Sequence, residues 1–243
     1  MCTVSWLRTR HGFELWCNRD EARTRALAEA PRFHEVDGMR ALFPVDAEAG
    51  GTWVGVNERG LALCLVNAYP APEADAERFL TRGQIVKRLL AAHDRLDALD
   101  RLEQASLERF RPFQLLLLEP NAPAGLATWR GHALEFDELP DAARPLVSAP
   151  GPPAGIAAQR RALLRELAKE HGGLSAAVLE AFHESHAPER GPLSPCFHGA
   201  HSETVSHTHV AVDEELARMR YADGAPCQGG APIVDVLPLA GRG

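Results

Sequence analysis

Cys2-Thr3-Val4-Ser5-Trp6-Leu7 and Phe13-Glu14-Leu15-Trp16-Cys17-Asn18-Arg19, joined through Arg8-Thr9-Arg10-His11-Gly12 and followed by Asp20-Glu21, form the stretch that decides the reading of this chain. Val, Trp, Phe and Leu recur at near-alternate positions on either side of a polar turn at Arg10-His11-Gly12, which is the pattern of a β-hairpin. Centred on Arg10 and His11, the hairpin sets Cys2 opposite Arg19; a slip of two residues sets Glu21 there instead. Arg19 and Glu21 share the face of Cys2, because side chains alternate along a strand, and Asp20 points away unless the strand bends.

Cys2 follows Met1, and so small a second residue is expected to permit removal of the methionine. A chain beginning with cysteine carries its own general base, since an α-amine titrates at about 7.7–8.0 and a thiol at about 8.5. One residue then supplies nucleophile and proton acceptor, the amine variant of an activated nucleophile. A guanidinium nearby favours the thiolate, and a carboxylate orients the ammonium. The same cysteine equally reads as a small hydrophobe opening a buried strand.

At 243 residues and 45% hydrophobic content the chain suits one ordinary globular domain over 1–243, with a Pro/Gly-rich flexible tail from about 225 to 243. A net charge of -7 with interspersed basic residues argues against a nucleic-acid footprint or a polybasic membrane anchor. Apolar runs such as 61–66 and 113–118 fall far short of a membrane span of ~20 residues, and Arg8, Arg10 and His11 interrupt any signal-peptide core. A soluble, cytoplasmic protein is expected. Five cysteines, widely spaced and without a Cys-x-x-Cys pair, make no disulfide framework. Cys17 and Cys64, alternating with apolar neighbours, read as buried thiols.

Further along, Pro31 and Pro44 break up 22–48, which reads as loop with a short strand at 41–43. Gly50-Gly51-Thr52-Trp53-Val54-Gly55-Val56-Asn57 and 61–66 form a second hairpin about 57–60, with the two leading glycines serving turn geometry. Asn67 closes its second strand before Tyr69-Pro70-Ala71-Pro72, where a side-chain amide can donate to an oxyanion or simply initiate a turn. Thr81-Arg82-Gly83-Gln84 has capping-box form ahead of a helix facing inward through Ile85, Val86, Leu89 and Leu90. A second helix uses Leu96, Leu99 and Leu102. Strands are expected at 110–119, 125–130, 133–136 and 146–149, then a loop at 150–153. A helix follows with Ile156, Leu163, Leu164 and Leu167 on one face, ended by Gly172-Gly173, and another is capped by Ser175. Residues 183–195 read as a mobile surface loop, and 203–212 and 216–221 as closing strands. Strands grouped with paired helices indicate α+β layers.

The opening Met-Cys-Thr, Asn18-Arg19-Asp20-Glu21, Gly50-Gly51-Thr52-Trp53 with Gly55 and Asn57, and Asn67 beside an aromatic together resemble the NRDE proteins, the family of transport and Golgi organisation protein 2. That family is similar to the cysteine-type N-terminal nucleophile hydrolases, which include bile-salt hydrolases and penicillin V acylase. The resemblance implies a four-layer αββα sandwich with two antiparallel sheets face to face. It also implies Cys2 as nucleophile, Arg19 beside it, Asp20 or Glu21 holding the free amine, and Asn67 in the oxyanion hole. The activity implied is an amidohydrolase or acyltransferase working on a small non-peptide amide or ester through an acyl thioester, without a cofactor. The alternative is a non-catalytic haem or acyl-ligand carrier on the same fold. The chain departs from the pattern at Ser148-Ala149, where many relatives carry an asparagine after the serine, and at Thr204-Val205-Ser206-His207-Thr208, which lacks a second arginine.

Trp53, Ser148 and His207 are candidates for lining a substrate pocket. Cys196, His198, His201, His207 and His209 concentrate ligand-type side chains, and Cys196 with His207 and His209 suggests a zinc or haem contact. The spacing fits no standard finger, so no metal is expected.

Overall fold

The computed structural model describes residues 2–69, 79–148 and 153–241. Met1, Pro70-Ala71-Pro72, Ala149 and most of the expected loop at 150–153 lie outside them. Strands β1 (Cys2–Arg8) and β2 (Phe13–Ala22) pair in the expected register, Cys2 opposite Arg19 and Val4 opposite Cys17. The pairing is fixed because Val4, Trp6, Phe13, Leu15 and Cys17 all bury on one face, and a one-residue slip would turn every one of them outward.

Two antiparallel sheets result. Beyond β1 and β2 the strands are β3 (Glu29–Val36), β4 (Met39–Val45), β5 (Val54–Asn57), β6 (Ala62–Asn67), β7 (Phe113–Leu118), β8 (Ala124–Trp129), β9 (Leu134–Leu139), β10 (Leu146–Ser148), β11 (Ser202–Val212), β12 (Leu216–Asp223) and β13 (Ile233–Pro238). One sheet runs β10-β1-β2-β11-β12-β13 and the other β3-β4-β5-β6-β7-β8-β9. Helices α1 (Gly83–Leu89) and α2 (Arg95–Glu103) cover the second sheet; α3 (Pro153–Glu170) and α4 (Ala176–Glu184) cover the first. Three apolar clusters separate four layers. The central one joins both sheets through Val4, Trp6 and Leu15 against Val54, Val56 and Leu116, with Cys17 facing Cys64 as a buried free thiol. Each such large side chain contributes about 1.5–3 kcal/mol by leaving water. The fold is therefore the expected α+β sandwich.

Five local expectations are corrected. Residues 22–48 hold a full hairpin, β3 and β4, about Asp37-Gly38, both at positive φ. Pro31 is accommodated because β3 is a sheet edge and its register shifts between Glu29 and Arg32. Within the expected flexible tail, residues 233–238 form a strand: β13 pairs along β12 from Leu216–Pro238 to Tyr221–Ile233, with Leu237 buried. Residues 183–195 are anchored at both ends although 187–190 stay exposed: His183, in the last turn of α4, is fully buried, and Asn18 Nδ2 donates to the carbonyls of His183 and Pro195 at 2.8 and 2.9 Å. The capping box does not form, since Gln84 N–H bonds to the Thr81 carbonyl and Arg82 occupies the cap without a side-chain bond. In α2, Leu102 and Ala98 are buried but Leu96 is 64% exposed. Among the described residues no helix is long and apolar enough to cross a membrane.

Candidate active site

The end of the opening hairpin stands at the mouth of a cleft of about 280 Å³ lined by Cys2, Arg19, Asp20, Glu21, Trp53 and Asn67. The structure thus brings together every residue expected at the catalytic end, along with Trp53. Cys2 is half-buried, paired with Arg19 on one side and Ser148 on the other. Ser148 is buried with no hydrogen bond to its hydroxyl among the described residues. Asn67 ends β6, where the chain leaves the sheet, so its amide reaches the cleft wall.

Arg19 is held from three sides. Its Nη2 lies 2.7 Å from Asp46 Oδ2 and 3.5 Å from Glu21 Oε2, and its guanidinium sits 4.5 Å from the centre of the Trp53 ring. Asp46 also takes a two-point contact from Arg25, at 3.0 Å to each oxygen, and accepts the N–H groups of Glu48 and Ala49. Burial opposes ionisation of Asp46, but Arg25, the Ala49 N–H and Arg19 outweigh it and hold the carboxyl below its usual range. Trp53 is at once cleft wall and core, stacking a cation on one face while the rest packs between the sheets.

Asp20 is placed by a bulge. Opposite β2, Thr204 pairs with Asp20 and Ser206 with Arg19, so Val205 is the extra residue. Thr204 Oγ1 donates to Asp20 Oδ1 at 2.7 Å, and Arg160 from α3 comes within 3.9 Å of Oδ2. Burial raises the Asp20 carboxyl to about 6, against the pull of Arg160 and the Thr204 hydroxyl. Burial likewise pushes the Cys2 thiol up to about 11. Glu21, by contrast, is partly exposed and engaged with Arg19 and Arg25.

Arg160 brings a second guanidinium to the buried Asp20 carboxyl. Its side chain is fully buried; it donates to Thr3 Oγ1, and to the Pro192 carbonyl at 2.9 Å. It stands on the apolar stripe of α3, four residues after Ile156 and four before Leu164, and an arginine in that register is the signal that marks it. Arg82, on the cleft wall with Nη1 on the Pro112 carbonyl, and Asp46 carry no comparable sequence signal.

His207 lies elsewhere. It lines a separate hollow of about 210 Å³ with Glu180, Glu184, His209 and Arg220, on the α4 side of the first sheet. Its Nδ1 is 2.7 Å from Asn18 Oδ1, and burial pushes the ring down to about 3. His209 stacks on Trp16 and meets Glu14 at 2.8 Å, so neither histidine joins Cys196.

A family model described as Transport and Golgi organisation 2 matches residues 1–185. The chain belongs to the Transport and Golgi organisation 2 family. No curated protein matches the chain by sequence. Among solved structures, this family member is similar to penicillin V acylase from Agrobacterium tumefaciens at 11% identity, with TM-score 0.52 over 99% of this chain and 92% of that one. It is also similar to a mutant conjugated bile acid hydrolase from Clostridium perfringens at 9% identity, with TM-score 0.55 over 100% and 97%. A Caenorhabditis elegans N-acylethanolamine-hydrolyzing acid amidase ortholog is similar at 14% identity, with TM-score 0.59 over 86% and 92%. These likenesses establish the shared sandwich of two antiparallel sheets between helical layers.

Proposed function

We propose that this protein is an N-terminal nucleophile enzyme that cleaves or transfers an acyl group held in amide or ester linkage to a small molecule, with Cys2, freed of Met1, as the nucleophile. The observation that carries this reading is the convergence of the Cys2 thiol, Arg19, Asp20 and Asn67 on one open cleft. With Met1 in place burial raises the thiol to about 11, so attack calls for a base to take its proton, and removal of Met1 would free the α-amine of the same residue to be that base. In this mechanism the amine takes the thiol proton, sulfur adds to the carbonyl carbon, and the Asn67 amide with a backbone N–H holds the oxyanion. The ammonium then protonates the leaving amine or alcohol, and water or a second acceptor, deprotonated by the amine, releases the acyl group. Asp20, rather than Glu21, is our candidate for holding the ammonium, because it is the buried carboxyl on this strand. The cytoplasm, where methionine removal alone frees Cys2, is the compartment we assign.

Likeness in fold to an acylase, a hydrolase and an amidase is compatible with this chemistry. The test is the intact mass of the purified protein before and after a p-nitrophenyl acyl ester. The expected result is a chain lacking Met1 that gains one acyl group on Cys2, with no adduct in Cys2→Ala. Retention of Met1, or acylation unchanged in Cys2→Ala, rejects the mechanism. Binding of acyl ligand or of haem, the latter seen as a Soret shift, without any adduct points instead to the carrier reading.

A further inference from the structure

Away from the cleft, four side chains that no part of the acyl-transfer reading uses come together. His186 follows α4, Cys196 and His198 precede β11, and Cys227 lies in a single 3-10 turn after β12. Each offers a ligand atom, and all four atoms lie within 4.8 Å of one another. His198 Nε2 is 3.5 Å from Cys196 Sγ and 3.3 Å from Cys227 Sγ. Zinc–sulfur bonds of about 2.3 Å and zinc–nitrogen bonds of about 2.0–2.1 Å make the S···N edge of a tetrahedron about 3.6 Å. The two S···N edges at His198 are therefore close to those of a tetrahedral site, and the four ligand atoms all lie within 4.8 Å of one another.

Hydrogen bonding accounts for part of this cluster, since Cys196 and Cys227 also bond one another, but it leaves His186 Nε2 without a partner among the described residues. A single Nε2–H satisfies one sulfur, yet His198 Nε2 is set between two. His186 Nε2 is buried with no hydrogen-bond partner among the described residues, and a buried polar atom so placed calls for an occupant. A lone pair on each nitrogen and a thiolate on each sulfur, all directed at one cation, satisfies the four groups together. Two sulfurs and two imidazoles select zinc over the hard, oxygen-seeking cations. On the far side of the His198 ring, Nδ1 is 4.0 Å from Glu203 Oε2, beyond hydrogen-bond distance, and that oxygen is held by Arg23 Nη1 at 2.7 Å.

We propose that His186, Cys196, His198 and Cys227 bind one structural zinc ion, which clamps the segment before β11 to the turn after β12 and so holds Thr204 against Asp20. Four protein ligands leave no open coordination position, so the site is structural rather than catalytic. The linkage to Asp20 is short. Phe197, between two of the ligands, donates its N–H to Thr204 Oγ1 at 2.9 Å and accepts the Thr204 N–H on its carbonyl at 2.8 Å; the Thr204 hydroxyl in turn donates to Asp20. On the other side, Gly224 N–H bonds to the Val205 carbonyl at 2.8 Å, tying the Cys227 turn to the bulge itself. The ligands lie beyond residue 185, outside the segment that the family model matches. Their separation into three chain segments is why no finger spacing announces them.

The test uses the full chain, purified under reducing conditions without chelator. Elemental analysis and native mass spectrometry are expected to give one zinc per chain, and replacement by Co(II) the intense visible d–d bands and thiolate charge-transfer absorption of a tetrahedral S₂N₂ site. Cys196→Ser, His198→Ala and Cys227→Ser should each weaken binding at least about tenfold, while Cys64→Ser keeps it. Should the variants misfold, alkylation of the wild-type chain decides: Cys196 and Cys227 stay protected with zinc and react after chelation, whereas Cys2 labelling reports separately on the acyl-transfer reading. A metal-free wild-type chain after incubation with zinc, octahedral cobalt, or a Cys196–Cys227 disulfide as the stable form would overturn the proposal.

Discussion

The Arg160 guanidinium on α3 and the Asp20 carboxyl on β2 stand 3.9 Å apart with both side chains wholly sealed from solvent. Two desolvated charges of this kind depend on one another: each alone carries a burial cost that the partner offsets. Arg160→Met removes the cation, leaves Asp20 with its Thr204 bond, and takes a donor from the Pro192 carbonyl. We expect a loss of about 3–5 kcal/mol in urea-unfolding stability, and a smaller loss when Asp20→Asn is added to it. A single variant as stable as the parent would show that the pair contributes nothing.

Asp20 also sets a pH dependence. Its carboxyl titrates at about 6 in the fold against a reference near 3.8, because burial disfavours the charged form. Between those two values the folded chain holds a proton that the unfolded chain has released, so stability falls as pH rises from about 4 to about 6 and stays reduced above. The difference corresponds to about 3 kcal/mol at full ionisation. His183 and His207, both depressed by burial, act in the opposite sense, losing stability as pH falls below the ordinary histidine range. Comparison of the parent with Asp20→Asn at pH 4 and pH 7 isolates the carboxyl: the parent should lose ground relative to the variant on going to pH 7. Parallel pH profiles would exclude a raised Asp20.

How much of this was legible depends on whether local pattern and tertiary position agree. Alternation at Val4, Trp6, Phe13, Leu15 and Cys17 reports a buried strand face directly, so the register that opposes Cys2 to Arg19 can be read from the chain. The Asp37-Gly38 pair is a strong hairpin signal of the same kind, but Pro31 and Pro44 read as breakers. At Pro31 the missing N–H costs little, because β3 is an edge strand. Arg160 is legible only as an anomaly, a cation on an apolar helical stripe. The partners of Arg19 and the four Cys and His side chains near β11 come from separate loops, and no periodicity encodes where loops meet.

Asn67 and Arg19 separate two roles at the cleft. In the proposed mechanism the Asn67 amide donates to the oxyanion, so Asn67→Ala is expected to lower kcat for acyl transfer by about 10²–10³ with KM little changed. Arg19→Ala leaves Asp46 its two-point contact with Arg25, so the fold should hold, while the cleft loses the cation that stands opposite Cys2 in the strand register. Slower alkylation of Cys2, by about tenfold at a given pH, is the expected readout. An Arg19→Ala chain that labels at the parental rate would reduce Arg19 to a packing partner of Trp53.

Gly51 tests whether backbone contact shapes the cleft. A β-carbon at Gly51 would come within 2.6 Å of the Gly83 carbonyl carbon, and one at Gly83 within 2.8 Å of the Thr52 nitrogen. These two backbones touch because Thr52 N–H bonds to the Gly83 carbonyl at 3.1 Å, joining the strand entering β5 to the first residue of α1. Gly50, at φ +64, meets the turn requirement expected of the pair; Gly51 instead answers a close approach. The obstruction is backbone, which cannot swing aside as a side-chain tip does, so Gly51→Ala must displace the start of α1 and with it Thr81 and Arg82 on the cleft wall. A loss of about 1–3 kcal/mol in stability is expected, together with slower acylation of Cys2. Gly38→Ala provides the contrast: no atom lies within 4 Å of the added carbon and the position is far along the edge hairpin, so its cost should be confined to the positive φ and leave Cys2 reactivity unchanged.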